Sequence, residues 1–371
     1  MQEAVLILGA RGRFGLATAL AFADAGWRVL ALMRVGGRVP QQVEGDSRID
    51  WLEADLYDTA GLARAVRAKS PDHAVAVVVH ALNPAYTNQA WKTQVLPMTD
   101  AALELCKVLQ ATLMLPGNIY NFGENMPAQL TEPTPQVAGT IKGQIRIAME
   151  DQIRRSGVRS MVIRAGDFFG AGQGTWFDQA IVKDLTKGIL TYPGALDVPT
   201  AWAYLPDLAR TFVALANQRA QTRQFDVFHF AGHSVTARQW LETFAPVAQT
   251  QGWVKPGAGL RFKRLPWALI RLGAVFIPTW AGLAEMRYLW DTPHALVNDK
   301  LTALIGVEPH TAFADAANAA LSDLGLKRPQ SERCADTCQA MPSGIRADGM
   351  AQSAAKRQEI TKLEWSTSGS K

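Results

Sequence analysis

The sequence predicts an α/β protein with a doubly wound parallel sheet and a smaller C-terminal substrate lobe. Three observations predict it. Short, nearly uninterrupted apolar runs alternate with helical patterns through the first 165 residues. A glycine-rich turn follows the first apolar run and opens the first helix. The chain has 371 residues, 48% of them hydrophobic, which is enough material to cover both faces of such a sheet.

The elements follow in order. Ala4–Leu8 is a continuous apolar strand, and Arg13–Ala25 is an Ala-rich helix stopped by Gly26. Strands are expected at Arg28–Met33 and Ile49–Leu52. A helix follows at Thr59–Lys69, with Thr59 or Asp58 as its N-cap. Ala74–His80 is a fourth strand, Trp91–Gln110 a helix, Thr112–Leu115 a strand, Thr140–Ser156 a helix and Arg159–Arg164 a sixth strand. Fully apolar strands separated by helices belong to a parallel sheet buried on both faces. Beyond Ala165 the alternation weakens and Trp and Pro become frequent, as expected for a substrate lobe over residues 166–326. Phe225–Phe230 reads as a strand returning to the sheet, and Asn298–Gly306 and Ala312–Leu324 as late helices. From Lys327 the pattern collapses into a polar segment, read as a disordered tail with a short helix near Ala354–Leu363.

Charge narrows the partners. The net charge is +5, but residues 327–371 hold eight Lys/Arg and five Asp/Glu, which leaves the body near +2 and without a basic stripe for nucleic acid. Three cysteines ask for no oxidising compartment, and Cys334 and Cys338 stand in the tail without metal-ligand company. His229, His233, His294 and His310 show no metal spacing either, so no metal is expected. Met1-Gln2-Glu3 lacks the basic start of a secretory signal, which points to the cytoplasm. Leu265–Leu283 is the most membrane-like stretch. Arg271 in its middle and Pro266 and Pro278 near its ends fit a packed helical pair better than a span of about 20 uncharged residues. Reversible contact with a membrane or a hydrophobic partner is its lesser reading.

The sharpest chemical signal is Gly9-Ala10-Arg11-Gly12-Arg13-Phe14-Gly15. A strand before it and a helix after it supply the context of a Rossmann-type phosphate-binding turn. One glycine lets the chain turn, one lets backbone N–H groups approach a pyrophosphate, and one lets helix pack on sheet. The helix N-terminus adds donors and partial positive charge.

The G-x-x-G-x-x-G spacing resembles the extended short-chain dehydrogenase/reductase family, the NAD-dependent epimerases and dehydratases. Other landmarks agree in chain order. Asp55-Leu56 resembles the family's acidic–apolar pair beside the adenine, and His80-Ala81 the end of its fourth strand beside the cofactor. Arg164–Gly170, Ala203–Ala209 and Leu304–Thr311 resemble three further family segments. The resemblance covers roughly residues 4–326 and implies NAD or NADP as cofactor, held by Gly9, Arg11, Gly12, Arg13, Phe14, Gly15, Asp55, Leu56, His80 and Ala81. The second strand ends Leu32-Met33-Arg34 without the acid that usually holds a ribose 2′-OH. Arg34, with Arg38 beyond it, suits a 2′-phosphate, so NADP is preferred over NAD.

The resemblance also implies a Tyr-x-x-x-Lys pair on the helix before the sixth strand, and here those positions fall on Lys142 and Arg146. The position of the family's Ser or Thr falls on Gly117 or Asn118. One reading gives Lys142 the proton transfer, its pKa lowered by the like charge of Arg146, and gives Asn118 the substrate oxygen. The other leaves a dinucleotide-binding protein, a sensor or assembly subunit, without hydride transfer. Asp167, just after the sixth strand, is a further candidate, expected either to pair with Lys142 or Arg146, to contact the cleft, or to cap a turn near Gly170. Tyr120 and Tyr204 are spare phenols, and Trp176-Phe177 and Trp202-Ala203-Tyr204 are possible walls of an aromatic pocket. The expected function is NAD(P)-dependent oxidation–reduction or epimerisation of a sugar nucleotide or other hydroxyl/carbonyl compound. The expected partners are that small molecule and, as the resemblance implies, a second copy through Trp91–Gln110 and Thr140–Ser156.

Overall fold

A computed structural model of the chain describes residues 3–327. The tail, with Cys334, Cys338 and the expected helix near residue 354, lies outside the described residues. The elements in chain order are β1 (Ala4–Leu8), α1 (Arg13–Asp24), β2 (Arg28–Met33), β3 (Ile49–Glu53), α2 (Thr59–Lys69), β4 (Val75–His80), α3 (Asn88–Leu109), β5 (Thr112–Gly117), β6 (Gln129–Leu130), α4 (Ile141–Arg155) and β7 (Ser160–Arg164). They continue with β8 (Asp167–Phe169), β9 (Ile189–Tyr192), β10 (Thr200–Tyr204), α5 (Leu205–Asn217), β11 (Phe225–His229), β12 (His233–Val235), α6 (Ala237–Thr250) and β13 (Arg261–Arg264). Then come α7 (Trp267–Gly273), α8 (Pro278–Glu285), α9 (Tyr288–Asp291), β14 (Ala295–Leu296), α10 (Asp299–Ile305) and α11 (Phe313–Asp323).

Seven strands form one parallel sheet in the order β11-β7-β5-β4-β1-β2-β3. The alternation of side chains along β1 explains the layers. Val5 and Ile7 join a core with Phe14, Ala19 and Phe22 of α1 and Leu208 and Phe212 of α5. Ala4, Leu6 and Leu8 face the other way, toward Leu62 of α2, Val95 of α3 and Met149 and Ile153 of α4. Both faces of the sheet are therefore covered, which is why its strands read as unbroken apolar runs. The chain leaves β1 in one direction for β2 and β3 and in the other for β4, β5 and β7. That puts a topological switch point between β1 and β4, the place where open α/β sheets bind ligands.

The caps explain several boundaries. The Asp58 side chain accepts from Gly61 N–H at 2.9 Å, the Thr87 hydroxyl from Ala90 N–H at 3.2 Å, and the Thr140 hydroxyl from Gly143 N–H at 3.1 Å. Of the two candidates at the start of α2, the structure selects Asp58. As expected, β11 returns to the large sheet, beside β7. Two small sheets, β12-β10-β8 and β13-β9, form around a core of Phe169, Phe177, Tyr192, Trp202, Trp240 and Phe244, and a third, β14-β6, packs with Phe122, Met286 and Leu289. Arg164 and Glu150 make a buried bidentate ion pair at 2.6 and 3.0 Å that fixes α4 against β7.

Candidate active site

The glycine turn is built as its sequence suggests. Gly9 sits at φ +84°, and a Cβ there would lie 2.8 Å from the Ala81 backbone at the end of β4. Gly12 N–H donates to the Gly9 carbonyl at 2.9 Å, and a Cβ on Gly15 would lie 2.3 Å from that same oxygen. The first turn of α1 thus packs directly on the strand-end loop, with no side chain at its N-cap; Gly12 makes no side-chain capping bond. The N-terminus of α1 lines the cleft at the switch point, the position at which a helix end favours an anionic diphosphate.

A cleft of about 570 Å³ opens there. Gly12, Arg13, Phe14 and Gly15 form one wall, and His80, Ala81, Leu82 and Asn83 continue it past β4. Asn118, Tyr120, Arg146, Asp167 and Phe168 also line the cleft. Tyr86, Trp91, Trp176 and, from α8, Thr279, Trp280 and Leu283 complete it. Phe14 stacks on Phe168 at 6.1 Å and meets Phe212 edge-on at 4.9 Å, which joins the turn to the substrate side. The Arg13 guanidinium bonds the Gln173 carbonyl while its Nε stays buried without a partner. His80 is buried, with Nε2 3.4 Å from the Thr99 hydroxyl and Nδ1 unpartnered. Burial and then Arg146 push its pKa down to about 3, so it is neutral.

The candidate cofactor residues divide between the two ends of this groove. Gly12, Arg13, Phe14, Gly15, His80 and Ala81 line the cleft, and Gly9 forms the turn beneath it. Arg11 and Arg34 lie outside its lining. Both are exposed, and Arg11 Nη1 reaches to within 3.5 Å of where a Gly37 Cβ would lie, next to the Arg34–Gly37 turn. Arg38 is exposed on the same loop. Asp55 is exposed at the end of β3, its Oδ1 accepting from Tyr57 N–H at 3.0 Å, and Leu56 packs on the core beneath.

The candidate catalytic residues do not all reach the cleft. Arg146 lines it and lies over the Trp91 ring at 5.0 Å. Asn118 lines it as well. Its Oδ1 accepts from Tyr120 N–H at 3.1 Å, which leaves its amide nitrogen to donate. Lys142 stands one helical turn back, behind the cleft wall and fully buried. Its Nζ donates to Asn88 Oδ1 at 2.5 Å, lies 3.8 Å from Glu285 and sits 4.6 Å from the centre of the Tyr86 ring. Burial lowers its pKa, against the opposing charge of Glu285 rather than beside that of Arg146. Glu285 also accepts from Ile141 N–H at the start of α4. Lys142 therefore fastens α8 to α3 and α4.

Asp167 makes no ion pair with Lys142 or Arg146 among the described residues. It begins β8 instead of capping a turn, pairing in register with Trp202, and its Oδ2 accepts from Trp290 Nε1–H at 2.8 Å. Burial among the rings pushes its carboxyl up to about 7, although the indole bond opposes this. Two phenols flank the site. The two phenols interact with each other, and burial raises the pKa of Tyr86 and pushes Tyr120 up to about 12, so both stay protonated. Tyr204, Phe177 and Trp202 belong to the core, while Trp176 reaches the cleft.

Sequence spacing hid one cluster. Asp207, His233 and His310 come together with ligand atoms within 4.8 Å of one another. Asp207 is nevertheless committed: its oxygens accept from Thr311 N–H at 2.6 Å and Thr311 hydroxyl at 2.8 Å, and from Arg210. It anchors the segment leading into α11.

Residues 2–252 match the family described as RmlD substrate binding domain. The chain belongs to that family. No curated protein matches the sequence. Among solved structures, UDP-glucose-4-epimerase from Stenotrophomonas maltophila with bound NAD and formylated UDP-arabinopyranose is 12% identical at TM-score 0.66. The alignment covers 91% of this chain and all of that one. Bordetella bronchiseptica WbmH in complex with NAD+ is 15% identical at TM-score 0.63, over 87% of this chain and 98% of that one. UDP-glucose 4-epimerase from Thermotoga maritima with UDP-glucose is 13% identical at TM-score 0.63, over 86% and 98%. For this RmlD-family chain the likenesses establish the epimerase/dehydratase fold that its motifs resemble.

Proposed function

We propose that the chain is an NAD(P)-dependent oxidoreductase or epimerase-like enzyme that prefers NADP and acts on a hydroxyl or carbonyl compound held beside Asp167. The observation that carries this reading is a carboxyl with a pKa near 7 in the cleft that the phosphate-binding turn opens. A group that titrates near the working pH is suited to take and return a proton.

The residues fit the cofactor. The glycines of the turn leave backbone open to an approaching diphosphate, and Arg13 Nε is a buried donor without a partner. Arg11, Arg34 and Arg38 supply cations on the side where a 2′-phosphate would lie; β2 itself ends without an acid, and the carboxylate nearest its end, Glu53 of β3, accepts from Gly36 N–H at 3.1 Å. The bound nicotinamide would supply or accept the hydride. Asp167 would take the proton from a substrate hydroxyl, or return it to a carbonyl. Asn118 would donate to the same oxygen, and Arg146 would stabilise negative charge developing there. Trp176, Trp280 and Leu283 exclude water from that end.

Two of the similar solved structures hold UDP-sugars, so a sugar nucleotide is one substrate class to test. The aromatic wall favours a less polar compound. The test is the absorbance of NADPH at the nicotinamide band during turnover of a panel spanning both classes, with Asp167→Asn as control. Turnover lost in that variant with cofactor binding intact supports the reading.

The withdrawal of Lys142 from the cleft favours a second reading, a protein that binds NADP(H) without turning it over. Tight cofactor binding with no substrate-dependent absorbance change across the panel would select it.

A further inference from the structure

The strongest feature outside the reaction chemistry is the outer face of α7 and α8. Eleven large hydrophobic residues are exposed among the described residues, and six of them fall within residues 269–280: Leu269, Leu272, Val275, Phe276, Ile277 and Trp280. Phe276 is 83% exposed and Val275 78%. Clusters of this kind on a soluble surface mark an interaction site, whereas single exposed apolar residues need no explanation.

The hairpin is not a piece of core left uncovered. Its inner face is already filled. Trp267 and Ile270 are buried, Trp267 Nε1 donates to the Pro193 carbonyl at 2.7 Å, and its ring stacks on Trp290 at 5.9 Å. Glu285 ties the end of α8 to Lys142 and Ile141. Leu269, Leu272 and Phe276 follow at helical spacing on the opposite side, so the hairpin is apolar on both faces.

Charge identifies the occupant. From residue 255 to 287 the chain carries Lys255, Arg261, Lys263, Arg264, Arg271 and Arg287, and a single acid, the inward-facing Glu285. Arg264 and Arg287 reach Asp291, whereas Arg261 and Arg271 are exposed without an ion pair among the described residues. An apolar tip flanked by cations matches a bilayer with anionic headgroups, where the apolar residues enter the interface and the cations meet phosphate. A second copy of the same surface would instead bring like charges together. No helix among the described residues is long and apolar enough to cross a membrane, so the fit is to lying on the surface.

We propose that residues 269–277 dock this protein onto an anionic membrane. Because α8 supplies Thr279, Trp280 and Leu283 to the cleft, docking sets the cleft mouth at the bilayer surface. The proposal stands whichever reaction the cleft performs.

The test uses the full chain with phosphatidylglycerol-containing vesicles and with pure phosphatidylcholine vesicles, in flotation at low and high salt. The variants are Leu272→Glu/Phe276→Glu and, separately, Arg271→Glu. All three positions are exposed, and NADPH binding and the melting temperature report that folding is unchanged. The expected result is flotation with the anionic vesicles that falls by at least about tenfold in the double variant and several-fold in Arg271→Glu and in high salt. Flotation equal in wild type and double variant overturns the proposal and assigns the affinity to another basic segment, such as residues 327–371. Absence of flotation overturns it too, and a dimer that the double variant splits would then assign the surface to a second copy.

Discussion

Asp167 and Trp290 meet across the cleft wall, the indole nitrogen donating to the carboxylate at 2.8 Å. The bond joins the first residue of β8 to the short helix α9, which follows the α7–α8 hairpin. It holds the carboxyl in a ring-lined site where ionisation is costly, and its pKa is pushed up to about 7. The sign of the effect follows. The folded state binds the proton more tightly than the unfolded chain, so this group favours folding at low pH. That contribution is lost as pH rises from the ordinary carboxylate range through about 7. Asp167→Asn, which keeps an acceptor for Trp290, should raise the melting temperature by a few degrees at pH 8 and leave it unchanged near pH 4. Thermal melts at the two pH values check this, and a variant less stable than wild type at pH 8 would count against a strained carboxylate.

The same group controls the reaction in the proposed function. For substrate oxidation, kcat/KM should rise with pH through about 7 as Asp167 loses its proton. Asp167→Asn should remove that limb and cost roughly a hundred- to ten-thousandfold in kcat. A pH–rate profile of the two proteins with any substrate found in the panel makes the comparison.

Arg34 should decide between the two nicotinamide cofactors. Exposed beside Arg11 at the end of β2, it offers a charge-assisted bond to a 2′-phosphate that NAD lacks. Arg34→Ala should weaken NADPH by about tenfold or more and change NADH little, as measured by fluorescence titration. Equal losses for both would place Arg34 on the adenine instead.

Lys142 should behave as a structural residue. Removing its ammonium leaves Glu285 partly buried with the Ile141 N–H but no cation, so Lys142→Met should destabilise the fold by about 3 kcal/mol in denaturant unfolding. Glu285→Gln in the same chain should return part of that loss, because the uncompensated carboxylate is then gone. NADPH affinity should stay near that of wild type in both. A tenfold loss of affinity in Lys142→Met, with stability unchanged, would place the lysine at the cofactor site instead.

Much of this was legible in the residues. The glycine turn announced both its strand and its helix because its backbone geometry depends on glycine at fixed positions. The strands of the large sheet were legible because burial on both faces leaves an unbroken apolar run. The direction of Lys142 was not. The i, i+4 spacing of Lys142 and Arg146 puts them on one side of α4, but the local sequence does not show that α8, more than 130 residues later, brings Glu285 to the first and leaves the second in the cleft. The raised carboxyl of Asp167 depends on burial and on an indole far along the chain. The small sheets were hidden because strands of two to five residues carry too little periodicity to read.

The central claim is that the backbone of the Gly9–Gly15 turn holds the diphosphate of a nicotinamide dinucleotide. Calorimetry of NADP and NAD with the wild type and with Gly12→Ala tests it most directly. Gly12 is the turn glycine with the most room: its Cβ would lie 3.2 Å from the Gly9 carbonyl, so the fold should survive. The account predicts binding by wild type, tighter for NADP, and a loss of at least about tenfold in a Gly12→Ala protein that melts normally. No heat from either dinucleotide, or equal binding by the variant, would contradict it.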